Sequence, residues 1–151
     1  MKEKKENTLL MLLLLLFTFL LVNGIMPVGV GSVSDWWDSS WCYRRRVTIV
    51  ERSGRLLSNY AVKIVLTSSN FNSWDKVRSD GGDIRFVDPS GNELSYWIEK
   101  WDYANKYAII WVKIPTIPAS STTTIYMYYG NPTATTKSNG YNVFTFYENF
   151  N

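Results

Sequence analysis

Leu94-Ser95-Tyr96-Trp97-Ile98-Glu99 is the stretch that decides the fold of this chain. Leu94, Tyr96 and Ile98 alternate with Ser95, Trp97 and Glu99. Successive side chains of an extended strand point to opposite faces, so this period of two predicts one buried and one outward face. Tyr96 is then expected inside, and Trp97 and Glu99 outside. The neighbouring segments behave alike. Tyr43, Val47 and Ile49 oppose Arg44, Arg46 and Thr48, and Tyr60, Val62, Ile64 and Leu66 oppose Lys63. Ile84 and Phe86 make a short strand closed by Asp88-Pro89-Ser90-Gly91, whose residue types favour a turn. Tyr107 to Ile114 is apolar on both sides apart from Lys113, as a central strand is. Thr122 to Tyr129 has strand-forming composition. Strands at this regular spacing predict an all-β, antiparallel β-sandwich of jelly-roll or immunoglobulin-like size.

Only short helix is expected within that domain. Ser73 to Val77 suits one helical turn, with Ser73 as cap and Trp74 and Val77 on one face. Residues 131–151 read as a polar, Thr-rich linker followed by another alternating run from Tyr141. Ahead of the sandwich, Lys2, Lys4 and Lys5 precede the apolar run Leu9–Val22, with Asn23, Gly24 and Pro27 beyond it. A basic start, an apolar run and small residues form the layout of an export signal. Residues 1–34 are therefore expected to be an apolar signal helix or membrane anchor, residues 35–130 the sandwich. Everything after Ser34 is expected outside the cytoplasm, extracellular or at the cell surface.

Composition removes several function classes. The chain has 151 residues, no His and one Cys. It therefore has no Ser-His-Asp triad, no imidazole-bound zinc and no intrachain disulfide. Cys42 is expected buried and inert. A net charge of +3, part of it in the leader, is too weak to argue for nucleic acid. The membrane is expected as a partner only through the N-terminal segment.

An enzyme of this composition would rely on carboxylates. Glu99 lies between Trp97 and Trp101, and Asp102 and Asp83 are the acids that could serve with it in glycan cleavage. Asp80, Asp83 and Asp88 form a weak calcium candidate, because calcium takes oxygen ligands from flexible loops. Asp and Gly are equally the ordinary residues of turns, and no cofactor is expected. The aromatics carry more weight, with 7 Trp and 10 Tyr in the chain. Sugar rings have apolar C–H faces that pack on flat aromatic rings, although most large aromatics in a sandwich fill its core. Trp97, then Trp101, are the candidates for exposed rings, with Tyr103 and Arg85 beside them in a ligand-binding set.

Several strings occur together in order: WCYRRRVTI (Trp41 to Ile49), GGDIRF (Gly81 to Phe86), YWIEKWD (Tyr96 to Asp102), IIWVKIP (Ile109 to Pro115), IYMYYGN (Ile125 to Asn131) and SNG (Ser138 to Gly140). With these the chain resembles domain-of-unknown-function family 2341 from Trp41 to Phe144. The resemblance implies a small β-rich module of secreted or surface-anchored archaeal and bacterial proteins. In that family the module often precedes a concanavalin-like or laminin-G-like lectin domain, or sits beside membrane transport components. It carries over no catalytic residue. The motif-matching positions are Asp83, Arg85, Phe86, Trp97, Glu99, Trp111, Tyr129, Gly130 and Asn131. Gly130 is expected in a positive-φ turn, with Asn131 bonding back to the backbone. FYENFN (Phe146 to Asn151) resembles the first strand of the lectin-like domain that commonly follows.

Three functions are expected, in this order. The first is a non-catalytic extracellular surface module that binds a glycan or cell-envelope polymer. The second is a structural assembly module of a surface layer or filament, and the third a carboxylate-dependent glycan-cleaving enzyme.

Overall fold

The computed structural model describes residues 36–145. The leader and Phe146–Asn151 lie outside those residues, so the signal helix and the final strand are not described. The elements run β1 (Tyr43–Val50), β2 (Leu57–Leu66), β3 (Arg85–Val87), β4 (Glu93–Leu94), β5 (Tyr96–Asp102), β6 (Tyr107–Ile117), β7 (Thr122–Tyr129) and a four-residue helix α1 (Gly140–Val143). Two antiparallel sheets form, in the orders β1-β7-β3-β4 and β2-β6-β5. The all-β reading of the sequence therefore stands. As expected, β6 is the central strand of its sheet.

The stretch from Leu94 to Glu99 is not one strand. Leu94 pairs with Phe86 in the first sheet, whereas Tyr96 pairs with Val112 in the second. The chain changes sheets at Ser95, whose carbonyl accepts the N–H of Lys113 at 2.9 Å. Leu94 and Tyr96 nevertheless both face the interior, so the alternation survives the crossing.

One core lies between the sheets. Phe86, Ile125 and Met127 come from the first sheet, and Leu66, Tyr96, Ile110 and Val112 from the second. Fully burying such a side chain stabilises the fold by roughly 1.5–3 kcal/mol before entropy is counted. Phe71 and Trp74, from the long β2–β3 connection, pack edge to face within it at 5.4 Å. Ser73 to Val77 makes one turn, closed by the N–H of Lys76 on the Ser73 carbonyl at 3.0 Å. It is not a helix, but Trp74 and Val77 do share the buried side.

Four expectations need correction. Residues 131–139 are not a free linker. The N–H of Lys137 donates to the Tyr96 hydroxyl, the Ser138 hydroxyl accepts the N–H of Ile98, and the N–H of Asn139 donates to the Tyr96 carbonyl. The Thr-rich composition conceals a strap whose polar groups satisfy the edge of β5. Second, Tyr141–Val143 is helical, not extended. Asn139 caps α1 by accepting the N–H of Tyr141, and Gly140 and Val143, three apart, are the buried pair. Third, Cys42 is exposed. Fourth, the outward face of β1, on which the alternation puts Arg44, is not left bare to water at that residue. The Arg44 guanidinium lies 5.2 Å from the Trp36 ring and 4.7 Å from the Tyr126 ring. Desolvated guanidinium–aromatic contacts of this kind are favourable.

Gly130 takes φ +87, as expected, and the Asn131 side chain accepts the N–H of Thr133.

The β1 end is clipped to the β6–β7 turn by Glu51. Its carboxylate accepts the hydroxyl and N–H of Ser53 and the N–H groups of Gly54 and Ser120. The Ser53 hydroxyl and the Ser120 N–H are the main reasons its pKa falls from 4.5 to about 2. A group with a depressed folded pKa contributes stability that is complete above its unfolded value and is lost as pH falls through the folded one. Urea midpoints are therefore expected to fall between about pH 4.5 and 2. Glu51→Gln should flatten that acid limb. An unchanged pH profile in this variant would contradict the assignment.

Candidate functional site

Register places the expected aromatic platform on two different faces. Before Glu99, Trp97 lies opposite Trp111 and points outward, while Ile98 lies opposite Ile110 and points inward. A register shift between Ile98 and Lys100 inserts one residue, Glu99. Such a bulge reverses side-chain parity for the rest of the strand. Lys100 then lies opposite Ile109, and Trp101 opposite Ala108, which is fully buried. Trp101 thus packs against the core, 5.4 Å from Trp74, and its indole N–H donates to the Ser79 carbonyl at 2.9 Å. Gly81 makes room for it. At φ +67, a Cβ there would sit 2.8 Å from Trp101 Cδ2. Tyr103, in the β5–β6 turn, is exposed and leans edge-on towards Trp74.

Arg85 is also not where a surface ligand would meet it. It is 2% exposed. Its guanidinium donates to the carbonyls of Gly82, Ile84 and Thr135 and to the Tyr96 hydroxyl, and lies 5.2 Å from the Trp41 ring. Its Nε has no hydrogen-bond acceptor and faces Glu93 Oε1 at 3.6 Å.

The three carboxylates of the cleavage reading hold three separate sets of partners. Glu99 is exposed and accepts the Trp111 indole N–H at 2.6 Å. Asp102 accepts from the side chain and N–H of Asn105, which lower its pKa in that order. Asp83 is fully buried, and its two oxygens accept the N–H groups of Arg78 and Gly130 at 3.1 and 2.6 Å.

Nor do the calcium candidates converge. Asp80 pairs with Arg78 through both oxygens, and this guanidinium, then the N–H of Gly82, hold its pKa well below the usual range. Burial pushes Asp88 up, but the Asn92 side chain and the N–H groups of Asn92, Ser90 and Gly91 outweigh it and lower the pKa. Among the described residues, no three acidic or thiol side chains gather in a way that suits a metal ion.

What the edge of β5 does hold is a polar cleft that sequence reasoning missed. It measures about 430 Å³ and lies between the β4–β5 crossing and the strap. Ser95, Ser138, Asn139 and Asn142 supply hydroxyls and amides to its walls. Glu93 adds a carboxylate, paired with the Lys137 ammonium at 2.7 Å. The Lys113 ammonium donates to the Asn142 carbonyl at 3.4 Å. Chain neighbours of these residues form an aromatic cluster on the outer face. The Phe144 ring meets Trp97 at 5.8 Å and Trp111 at 5.5 Å, both edge to face. The Lys63 ammonium lies 5.6 Å from the Trp111 ring. The missed signal was the Lys137–Asn142 run, whose polar residues look like those of any linker until the fold ties them down.

A second apolar cluster covers the outside of the other sheet. Trp36, Trp37 and Trp41 pack around Tyr128, Val87 and Ala134. The Trp41 indole N–H donates to the Asp83 carbonyl at 2.6 Å. The N-terminal tryptophans are thus packing groups, with Trp36 and Trp37 half-buried.

Comparison with known proteins gives one match. Residues 80–151 fit the family model described as Domain of unknown function (DUF2341), so the resemblance read from the motifs is shown over that segment. No curated protein and no solved structure matches the chain.

Proposed function

We propose that this chain, whose residues 80–151 fit the DUF2341 family model, is a non-catalytic module working outside the cytoplasm, where it binds a glycan or cell-envelope polymer. Its finer architecture in this reading is a sandwich of immunoglobulin or jelly-roll size. The observation that carries the proposal is the polar cleft lined by Ser95, Ser138, Asn139 and Asn142. Glycan hydroxyls need fixed donors and acceptors, and the cleft offers Ser95, Ser138, Asn139, Asn142 and the Glu93–Lys137 pair. Sugar C–H faces need flat rings, and Trp97, half-buried against Phe144, follows the cleft residue Tyr96 in the chain. A concave, mostly preformed site with a few convergent polar groups is the usual form of a ligand site. Against catalysis, Glu99, Asp102 and Asp83 are each held by different partners. The export leader and a downstream lectin-like domain belong to the same reading.

A glycan array probed with the full chain in mild detergent tests it. Binding to a defined subset of glycans is expected. The double variant Ser95→Ala/Asn142→Ala, at two exposed positions, and Trp97→Ala should each weaken it at least ten-fold, about 1.4 kcal/mol. An array without hits, or hits indifferent to all of these substitutions, would remove the proposal. Assembly through sheet edges would then become the leading reading.

A further inference from the structure

The edges of β1 and β2 meet at an apolar cleft of about 300 Å³, lined by Ile49, Val50, Leu57, Tyr60, Val62 and Ile117. Ile117 is buried and forms part of the core, so the cleft reaches between the sheets. Val50 and Tyr60 remain 53% and 50% exposed. Among the described residues, β1 pairs only with β7 and β2 only with β6. Each therefore presents one row of unpaired backbone groups, which is the template for another strand.

The β2–β6 ladder is irregular close to the cleft. Ser58 pairs with Thr116 and Tyr60 with Ile114, but no pair joins Asn59 to Pro115. Proline has no N–H to give, and Asn59 takes φ +49. The ladder is interrupted there, and the next side chain, Tyr60, is left half exposed.

Charge narrows the class of occupant. Between Trp41 and Leu66 the sequence holds Arg44, Arg45, Arg46, Arg52, Arg55 and Lys63 against one acid, Glu51. Glu51 is consumed by Ser53, Gly54 and Ser120. Arg52 lines the cleft, Arg55 lies exposed in the loop beside it, and among the described residues neither has a carboxylate partner.

We propose that this cleft binds an acidic, extended peptide segment of a partner protein. The segment adds as a strand along the free edge of β1. Alternate apolar side chains enter the cleft, and carboxylates of the segment meet Arg52 at the cleft wall and Arg55 in the loop beside it. Backbone bonding then supplies affinity, and the alternation supplies selectivity. The site shares no lining residue with the polar cleft of Ser95 and Asn142 and does not depend on the glycan reading.

Fluorescence anisotropy with the full chain in neutral-lipid nanodiscs tests this. The probes are three labelled ten-residue peptides: alternating Val and Glu, alternating Val and Lys, and the Val/Glu composition rearranged in blocks. Saturable binding of the alternating acidic peptide is expected, with the block and lysine peptides at least five-fold and ten-fold weaker. Arg52→Glu/Arg55→Glu should weaken binding of the acidic peptide at least ten-fold without lowering the melting temperature, both positions being exposed. Tyr60→Ser should weaken it about five-fold. Equal binding of the alternating and block peptides would overturn strand addition and leave a generic anion contact. Absence of binding, or binding indifferent to the Arg52/Arg55 reversal, would overturn the proposal altogether.

Discussion

Asp83→Ala is expected to destabilise the protein by roughly 3–5 kcal/mol, read as a lower urea midpoint at neutral pH. Both oxygens of this fully buried carboxylate are engaged, one by the Arg78 N–H and the other by the Gly130 N–H. Alanine would leave both donors without an acceptor. An unsatisfied buried donor costs roughly 1–3 kcal/mol, and two such losses approach the total stability of a small domain. Asp83 also fixes backbone from three directions. Its carbonyl receives the Trp41 indole, and its side chain ties the loop before β3 to the end of β7. Asp83→Asn tests the chemistry. One amide oxygen can serve one N–H, but the amide NH₂ faces the other, so most of the loss should persist. A loss under about 1 kcal/mol in Asp83→Ala would show that water replaces the carboxylate, and the buried-clip account would fail.

Arg85→Ala should come next, at about 3–5 kcal/mol. The guanidinium gathers the Gly82, Ile84 and Thr135 carbonyls and the Tyr96 hydroxyl around one planar group. Thr135 belongs to the strap, so the same side chain holds the strap to β3. Alanine would orphan those acceptors and leave Glu93 with Lys137 as its ion-pair partner. Arg85→Lys should rescue little, because an ammonium cannot reproduce a planar fork of five donors. Hydrogen exchange adds a readout that general destabilisation would not give. The N–H groups of Lys137 and Asn139, which bond to Tyr96, should lose protection before those of β6. Uniform loss across the domain would contradict a local strap-holding role.

Most of the fold was legible because alternation is a property of short windows. Tyr96 inside and Trp97 outside follow from a period of two, and β6 in the middle from a run that is apolar on both sides. The failures have three physical sources. A bulge inserts one residue and inverts parity, so Trp101 could not be placed from spacing alone. A strap made of Thr, Ser, Lys and Asn satisfies backbone groups through distant partners, and distant partners leave no local signature. Arg85 reads as a surface charge because burying arginine is costly, and only the converging carbonyls of Gly82, Ile84 and Thr135 make its position tolerable. The polar cleft was hidden for the second of these reasons, since half of its wall comes from the strap.

Chain order has a consequence for synthesis on the ribosome. The two edge strands made first, β1 and β2, take their partners from β7 and β6, so Tyr43 must wait for Tyr129 and Leu66 for Ala108. At roughly 5–20 residues per second, the emerging N-terminal half spends seconds with two sticky ribbons and nothing to zip against. Closure comes late and nearly at once, when the two middle ribbons appear in succession. Such distant pairings fold slowly, and a nascent chain of this design is a natural client for holding chaperones.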